Sequence, residues 1–193
     1  GGTTIVFDNI SDLKGRKVGV WGGSFLTAKV INLNANIEMI IIDYPGQKEA
    51  LEALNDNKID VILAVGGQPL GWVKNLSKTY KLLSFGEKVV KQLTQIYRPA
   101  KLTSYSNLGQ LGVETLAVDA LLVTRDYKSK VRVQQLTTLR QCVIDKIDEI
   151  KDTRGTHPKW QEIDPTREPK WSKVFGSPTP AAKPPSVAGG KQG

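Results

Sequence analysis

The chain has 193 residues, enough for one good-sized domain or two small ones. Its 39% hydrophobic and 24% charged residues describe a globular protein. No apolar run approaches the ~20 residues that cross a bilayer. The net charge of +8 is spread along the chain among acids. It includes no basic run, Arg cluster or aromatic–basic alternation, so no nucleic-acid partner is expected.

Gly1-Gly2-Thr3-Thr4 has neither the basic start nor the apolar core of a signal peptide. The sequence therefore reads as a cytosolic protein or as a processed or truncated form. Leu13 to Lys17 is a turn into the first predicted strand, Val18 to Trp21. Gly22, Gly23 and Ser24 follow, and then an apolar pattern of helical type at Phe25, Leu26, Ala28, Val30 and Ile31. A strand feeding a helix through glycines leaves the first helical amides accessible, which suits a carboxylate or a phosphate. Ser24 is expected to be the N-cap. The asparagines between Asn32 and Asn36 end the helix.

Glu38 to Asp43 is predicted as a second strand, rich enough in Ile and Met to be covered on both faces. Gln47 to Asn57 reads as a helix with Ala50, Leu51 and Leu54 inward. Ile59 to Val65 is a third strand, followed at once by Gly66-Gly67-Gln68-Pro69, and Pro69 opens a predicted helix from Leu70 to Leu76. Lys81 to Ser84 is a brief strand and Glu87 to Ile96 a helix, ended by Tyr97-Arg98-Pro99. This alternation predicts an α/β fold with a parallel sheet. Both glycine pairs fall at carboxyl ends of strands, hence on one edge, where ligands of such sheets lie.

Leu102 to Leu111 reads as a loop. Gly112 to Thr124 is a long β-type run, and Asp119 in its middle is awkward for a strand buried on both sides. A strand passing from one body of the protein to another would account for it. The last main helix is predicted to start at Asp126 or Ser129. Its core-facing stripe is Val133, Leu136, Leu139, Val143, Ile147 and Ile150, with Cys142 expected on the apolar side as a buried, inert thiol. Arg154 to Pro158 stops it. Trp160, Ile163, Trp171 and Phe175 mark an irregular strap, and residues 176–193 a disordered Pro/Gly-rich tail. The domain reading is an α/β lobe over 10–101, a crossover strand, long helix and strap over 102–175, and the tail.

Catalytic chemistry finds few residues to use. The single histidine, His157, precedes Pro158 in a turn and is expected to cap or to face solvent. A nucleophile elbow, a phosphate loop with its lysine and a dinucleotide fingerprint are all missing from the sequence. One His and one Cys cannot assemble a metal site of the zinc type. The expectation is a binding protein rather than an enzyme, with no cofactor and no metal.

The string D-L-K-G-R-K-V-G-V at Asp12 to Val20 resembles the opening of the second lobe in bacterial periplasmic solute-binding proteins. Four further stretches resemble the TAXI branch of the TRAP-transporter receptors. They are the Gly-Gly-Ser turn at Gly22 to Thr27, A-L-E-A-L-N-D-N-K-I-D-V at Ala50 to Val61, A-V-G-G-Q-P at Ala64 to Pro69, and V-D-A-L-L-V-T-R at Val118 to Arg125. The resemblance covers about residues 10–150. It implies a periplasmic location and one lobe of a clamshell receptor that captures a small organic anion, a dicarboxylate or an acidic amino acid, for a membrane transporter. By position, Gly23, Ser24 and Thr27 would hold the ligand from the first turn, and Gly66, Gly67 and Gln68 from the second, with Tyr105 near the crossover. Family members place a first lobe ahead of this string, whereas only a short segment precedes Ser11 here. Trp21 and Phe25 are bulkier than the family pattern and are expected to crowd the site. The alternative expectation is a receptor domain reused as an interaction subunit of a multi-subunit, membrane-associated complex.

Overall fold

The computed structural model describes residues 7–165 and residue 167. Trp171, Phe175 and the tail 176–193 lie outside the described residues. The chain divides into two compact units, Gly1–Leu121 and Leu122–Gly193.

The first unit is α/β, built on a three-stranded parallel sheet flanked by helices. Strand β1 (Lys17–Val20) lies between β2 (Ile40–Asp43) and β3 (Val61–Ile62). Helix α1 (Gly23–Ala35) makes the β1–β2 crossover, and α2 (Gln47–Asn55) the crossover to β3. Val18 and Val20 are fully buried and pack with Ala28 and Ile31 of α1, Met39, and Val89 and Leu93 of α4 (Gly86–Leu93). At the opposite end of α1 the asparagine stop acts twice. Asn36 takes the left-handed conformation, and Asn32 donates to the Met39 carbonyl at 2.8 Å while accepting from the Met39 amide at 2.9 Å. The side-chain amide thus copies a strand partner and fixes where β2 begins.

The central strand carries its glycine for a packing reason. A Cβ at Gly19 would stand 2.4 Å from Ile59 Cδ1 and 3.3 Å from the Tyr44 ring. Both side chains lie across the sheet face that this glycine leaves bare.

Several expectations are corrected here. β2 is not covered on both faces, since Ile40 is exposed and Ile41 and Ile42 are only half-buried, and the sheet order makes it an edge strand. In α2, Ala50 and Ala53 form the buried face, with Leu51 and Leu54 half-buried beside them. The helix after Pro69 shortens to a single turn, α3 (Gly71–Lys74), which starts beyond the proline. Lys81 to Ser84 makes only an isolated bridge, Asn9 to Ser84, and Gln110 holds Leu82 through both ends of its amide.

The stretch read as a helix stop contains a strand, β4 (Arg98–Leu102), paired antiparallel with β5 (Val113–Ala117). Pro99 is tolerated because this sheet has only two strands. The long β-type run therefore ends at Ala117. Asp119, no longer in a strand, meets the Arg98 guanidinium at 3.1 Å, and that pair accounts for a carboxylate there. Because β4 and β5 pair, the segment up to Leu121 belongs with the first unit.

In the second unit, α5 (Lys130–Asp152) begins after Ser129, and the 3-10 turn Pro158–Glu162 follows. His157 caps that turn, its Nδ1 accepting from the Lys159 amide at 3.2 Å. Cys142 is exposed rather than buried. It sits one residue, or about 100° of rotation, away from Val143 on the stripe. Ile147 is the buried member of that stripe and Leu139 is exposed.

Candidate functional site

The register of the parallel sheet pairs Val18 with Val61 and Gly19 with Ile62. Neighbouring parallel strands in that register deliver their carboxyl ends to one edge. The turn after β1 and the turn after β3 therefore sit side by side, and Gly22, Gly23, Gly66 and Gly67 are all exposed on that rim.

At the first turn, Gly22 rather than Ser24 occupies the N-cap position of α1. Its φ of 53° and ψ of −133° belong to a region open to glycine, so the chain turns without any side-chain cap. The Ser24 amide bonds back to the Trp21 carbonyl at 3.1 Å and the Phe25 amide to the Gly22 carbonyl at 3.2 Å. Gly23 is the first helical residue, with open space where its Cβ would be. Thr27 is half-buried, and its hydroxyl donates to the Gly23 carbonyl at 3.3 Å.

Ser24 points inward, 3% exposed, and its Oγ accepts the Val65 amide at 3.0 Å. This bond joins the two turns across 41 residues of chain. The second turn is tied down from its other side as well. Gln68 donates from Nε2 to the Lys101 carbonyl at 3.1 Å and accepts the Thr103 amide on Oε1 at 3.2 Å. Tyr105, also 3% exposed, accepts the Leu70 amide on its hydroxyl at 2.8 Å. Asn107 then donates to the Val73 and Leu76 carbonyls, closing the short α3. The Gln68–Pro69 peptide is cis.

The structure thus draws the seven residues singled out above into one frame. Ser24 and Tyr105 spend their hydroxyls on the Val65 and Leu70 amides, and Gln68 ties the second turn to the backbone of Lys101 and Thr103, which makes all three braces of the rim. Gly23, Gly66 and Gly67 present exposed backbone.

Two aromatic side chains meet at this rim. Trp21, at the end of β1, contacts Trp72 of α3 edge to face, with ring centroids 5.9 Å apart. The sequence pointed to Trp21 as bulky; its partner, 51 positions on, carried no signal of its own. Phe25 packs half-buried against the main core, and Lys29 Nζ lies 4.2 Å over its ring, so Phe25 does not crowd the turns.

Two shallow depressions lie elsewhere. One of about 190 Å³ is lined by Val90 and by residues of β4 and β5. Another of about 260 Å³ is lined by Lys14, Asn36, Lys88 and Gln92 among others. Among the described residues, no group of three or more His, Cys, Asp or Glu is placed to hold a metal ion. Likewise, no described helix is long and apolar enough to cross a membrane.

Comparison with known protein families, with curated proteins and with solved structures finds no match at any of the three levels.

Proposed function

We propose that the first unit is a ligand-holding lobe of a solute-binding receptor of the TAXI type, and that it takes a small organic anion at the rim of its parallel sheet. The observation that carries this reading is the pairing of two exposed glycine turns on one edge, locked together by the Ser24–Val65 bond. Backbone amides of Gly22 and Gly23 on one side, and of Gly66 and Gly67 on the other, would take the carboxylate. Ser24, Thr27, Gln68 and Tyr105 would fix the spacing of those amides and so limit the size of anion accepted. Positive charge at the start of α1, a helix of 13 residues, favours an anion there.

The test is isothermal calorimetry with succinate and with glutamate on the full chain and on Gly23→Asp. A Cβ at Gly23 meets nothing within 4 Å, so the variant folds without steric conflict. An acid in the first helical turn also favours the helix itself. Heat with the wild type, abolished in Gly23→Asp while its thermal midpoint holds or rises, supports the reading. Equal heats from both proteins, or none from either, refute it.

A second reading is docking of this unit on another protein as a structural subunit. It is favoured by the outer ridge of α1, where Leu26 and Leu33 are exposed and Val30 lies half-buried between them. Analytical ultracentrifugation of the chain with its candidate partner distinguishes it, since a receptor lobe needs no such contact to bind its anion.

A further inference from the structure

The buried and half-buried residues of α5 include a run with the rhythm of a helix–helix seam. Val133, Leu136, Arg140, Val143, Ile147 and Ile150 are spaced 3, 4, 3, 4 and 3 apart, and Ile144 and Lys151, also half-buried, lie beside them. That spacing is the period of 3.5 by which one helix lays a seam along another. The positions bordering the seam are Lys130, Arg132, Thr137, Leu139, Ile144, Lys146 and Lys151, four cations and no acid. The acids of this helix, Asp145, Asp148, Glu149 and Asp152, all fall on outer positions. Lys146 pairs with Glu149 at 2.7 Å and Lys151 with Asp148 at 4.0 Å. Exposed pairs of this kind are worth little, and they leave the basic border in place.

The two halves of the seam differ. Towards its end, Ile147 is buried and the following 3-10 turn bonds back, Gln161 Nε2 donating to the Lys151 carbonyl at 2.7 Å. Towards its start, the border residue Leu139 is 51% exposed. Lys130 and Arg132 stand in the first turn, which contains no acid. Cations at that end oppose the helix dipole, so they weaken α5 taken alone. Charge set against the helix's own preference fits a role towards something outside it.

We infer that the seam of α5 from Val133 to Val143 docks an amphipathic helix of another protein whose borders carry Glu and Asp. Such a helix places its apolar residues among Val133, Leu136 and Val143, with its carboxylates against Lys130, Arg132 and Lys146. A second copy of this chain is a poorer occupant, because its borders would set cations against cations. An anionic membrane is poorer too. Helices that lie in a membrane surface present a broad apolar face, usually with aromatic anchors, whereas α5 has a narrow seam and no aromatic residue.

The probe is a labelled peptide of three heptads with Leu at both seam positions and Glu at the borders, compared with the same peptide carrying Lys at the borders. Fluorescence anisotropy against the full chain reads binding. The acidic peptide is expected to bind at least about tenfold more tightly than the basic one, and to weaken as salt rises. Lys130→Glu/Arg132→Glu changes only surface residues, and circular dichroism checks that α5 persists. This variant is expected to invert the preference, which a merely structural role for the two cations would not do. Equal binding of both peptides, binding of neither, or an unchanged preference in the variant overturns the inference. So does retention on phosphatidylserine vesicles, or concentration-dependent dimerisation by sedimentation, that Leu139→Asp abolishes while acidic-peptide binding is absent.

Discussion

Ser24→Ala isolates the bond that joins the two glycine turns. It removes an Oγ that is 3% exposed and leaves the Val65 amide, 3.0 Å away, without its acceptor. A net hydrogen bond is worth about 1 kcal/mol, and stranding a fully buried donor costs about 1–3 kcal/mol. Val65 is 42% exposed, so water reaches part of this backbone and the lower end of that range applies. Alanine is also the better helix former by up to about 0.5 kcal/mol, which offsets some of the loss. The expected net cost is about 0.5–1 kcal/mol. For a unit of this size that is a fall in thermal midpoint of roughly 2–6 °C by circular dichroism. The decisive measurement is local. Amide hydrogen exchange at Val65 should quicken by roughly fivefold, as about 1 kcal/mol less is needed to open the second turn. Succinate affinity should fall with it, because the two glycine pairs would no longer be held at one spacing. An unchanged midpoint together with unchanged exchange at Val65 would show that the turns are held at their distance by something other than this bond.

Gly19→Ala should destabilise the first unit by about 1–3 kcal/mol through overpacking, since the new methyl lands 2.4 Å from Ile59 Cδ1 with the Tyr44 ring close by. Adding Ile59→Val removes that Cδ1, so a double-mutant cycle in urea should show the pair costing less than the sum of the single changes. Tyr105→Phe deprives the Leu70 amide of its partner inside the smaller core cluster, and a loss of about 1–2 kcal/mol in chemical denaturation is expected. The Asp12 carboxyl is held below its ordinary value of 3.8 mainly by the Asn9 amide, then by the Asp8 amide, with Lys81 adding a little. Its contribution is therefore complete above that ordinary value and disappears as pH falls through the lowered one. Urea midpoints taken across the acid range should fall less steeply in Asp12→Asn than in the wild type.

What was legible in the sequence is what neighbours in the chain decide for themselves. β1, α1, α2 and α5 announced themselves by apolar period, and the asparagine stop of α1 and the His157 cap followed from local backbone chemistry. The Gly22 turn was visible as well, though not which residue would cap it. That choice depended on Ser24 finding the Val65 amide 41 residues away, a more rewarding use for a buried hydroxyl than a cap. Other outcomes were likewise settled by partners distant in sequence. Sheet order made β2 an edge, and what packs on its faces left Ile40 exposed, although its composition suited an interior strand. β4 was hidden because Pro99 looks like a helix stop until β5 lies beside it. Asp119 was awkward only for want of Arg98.

The same division runs through the site. Composition and the two glycine pairs determined by themselves that this chain makes strand-to-helix turns with open backbone. The strand–helix alternation also put both pairs on one edge. Only the tertiary structure decided that Ser24 bonds the two turns together, that Gln68 and Tyr105 brace the rim, and that Trp72 comes to Trp21. A turn is specified by the torsional freedom of a few adjacent residues. A site is specified by which turns the sheet brings together, and that depends on the burial and hydrogen bonding of the whole unit.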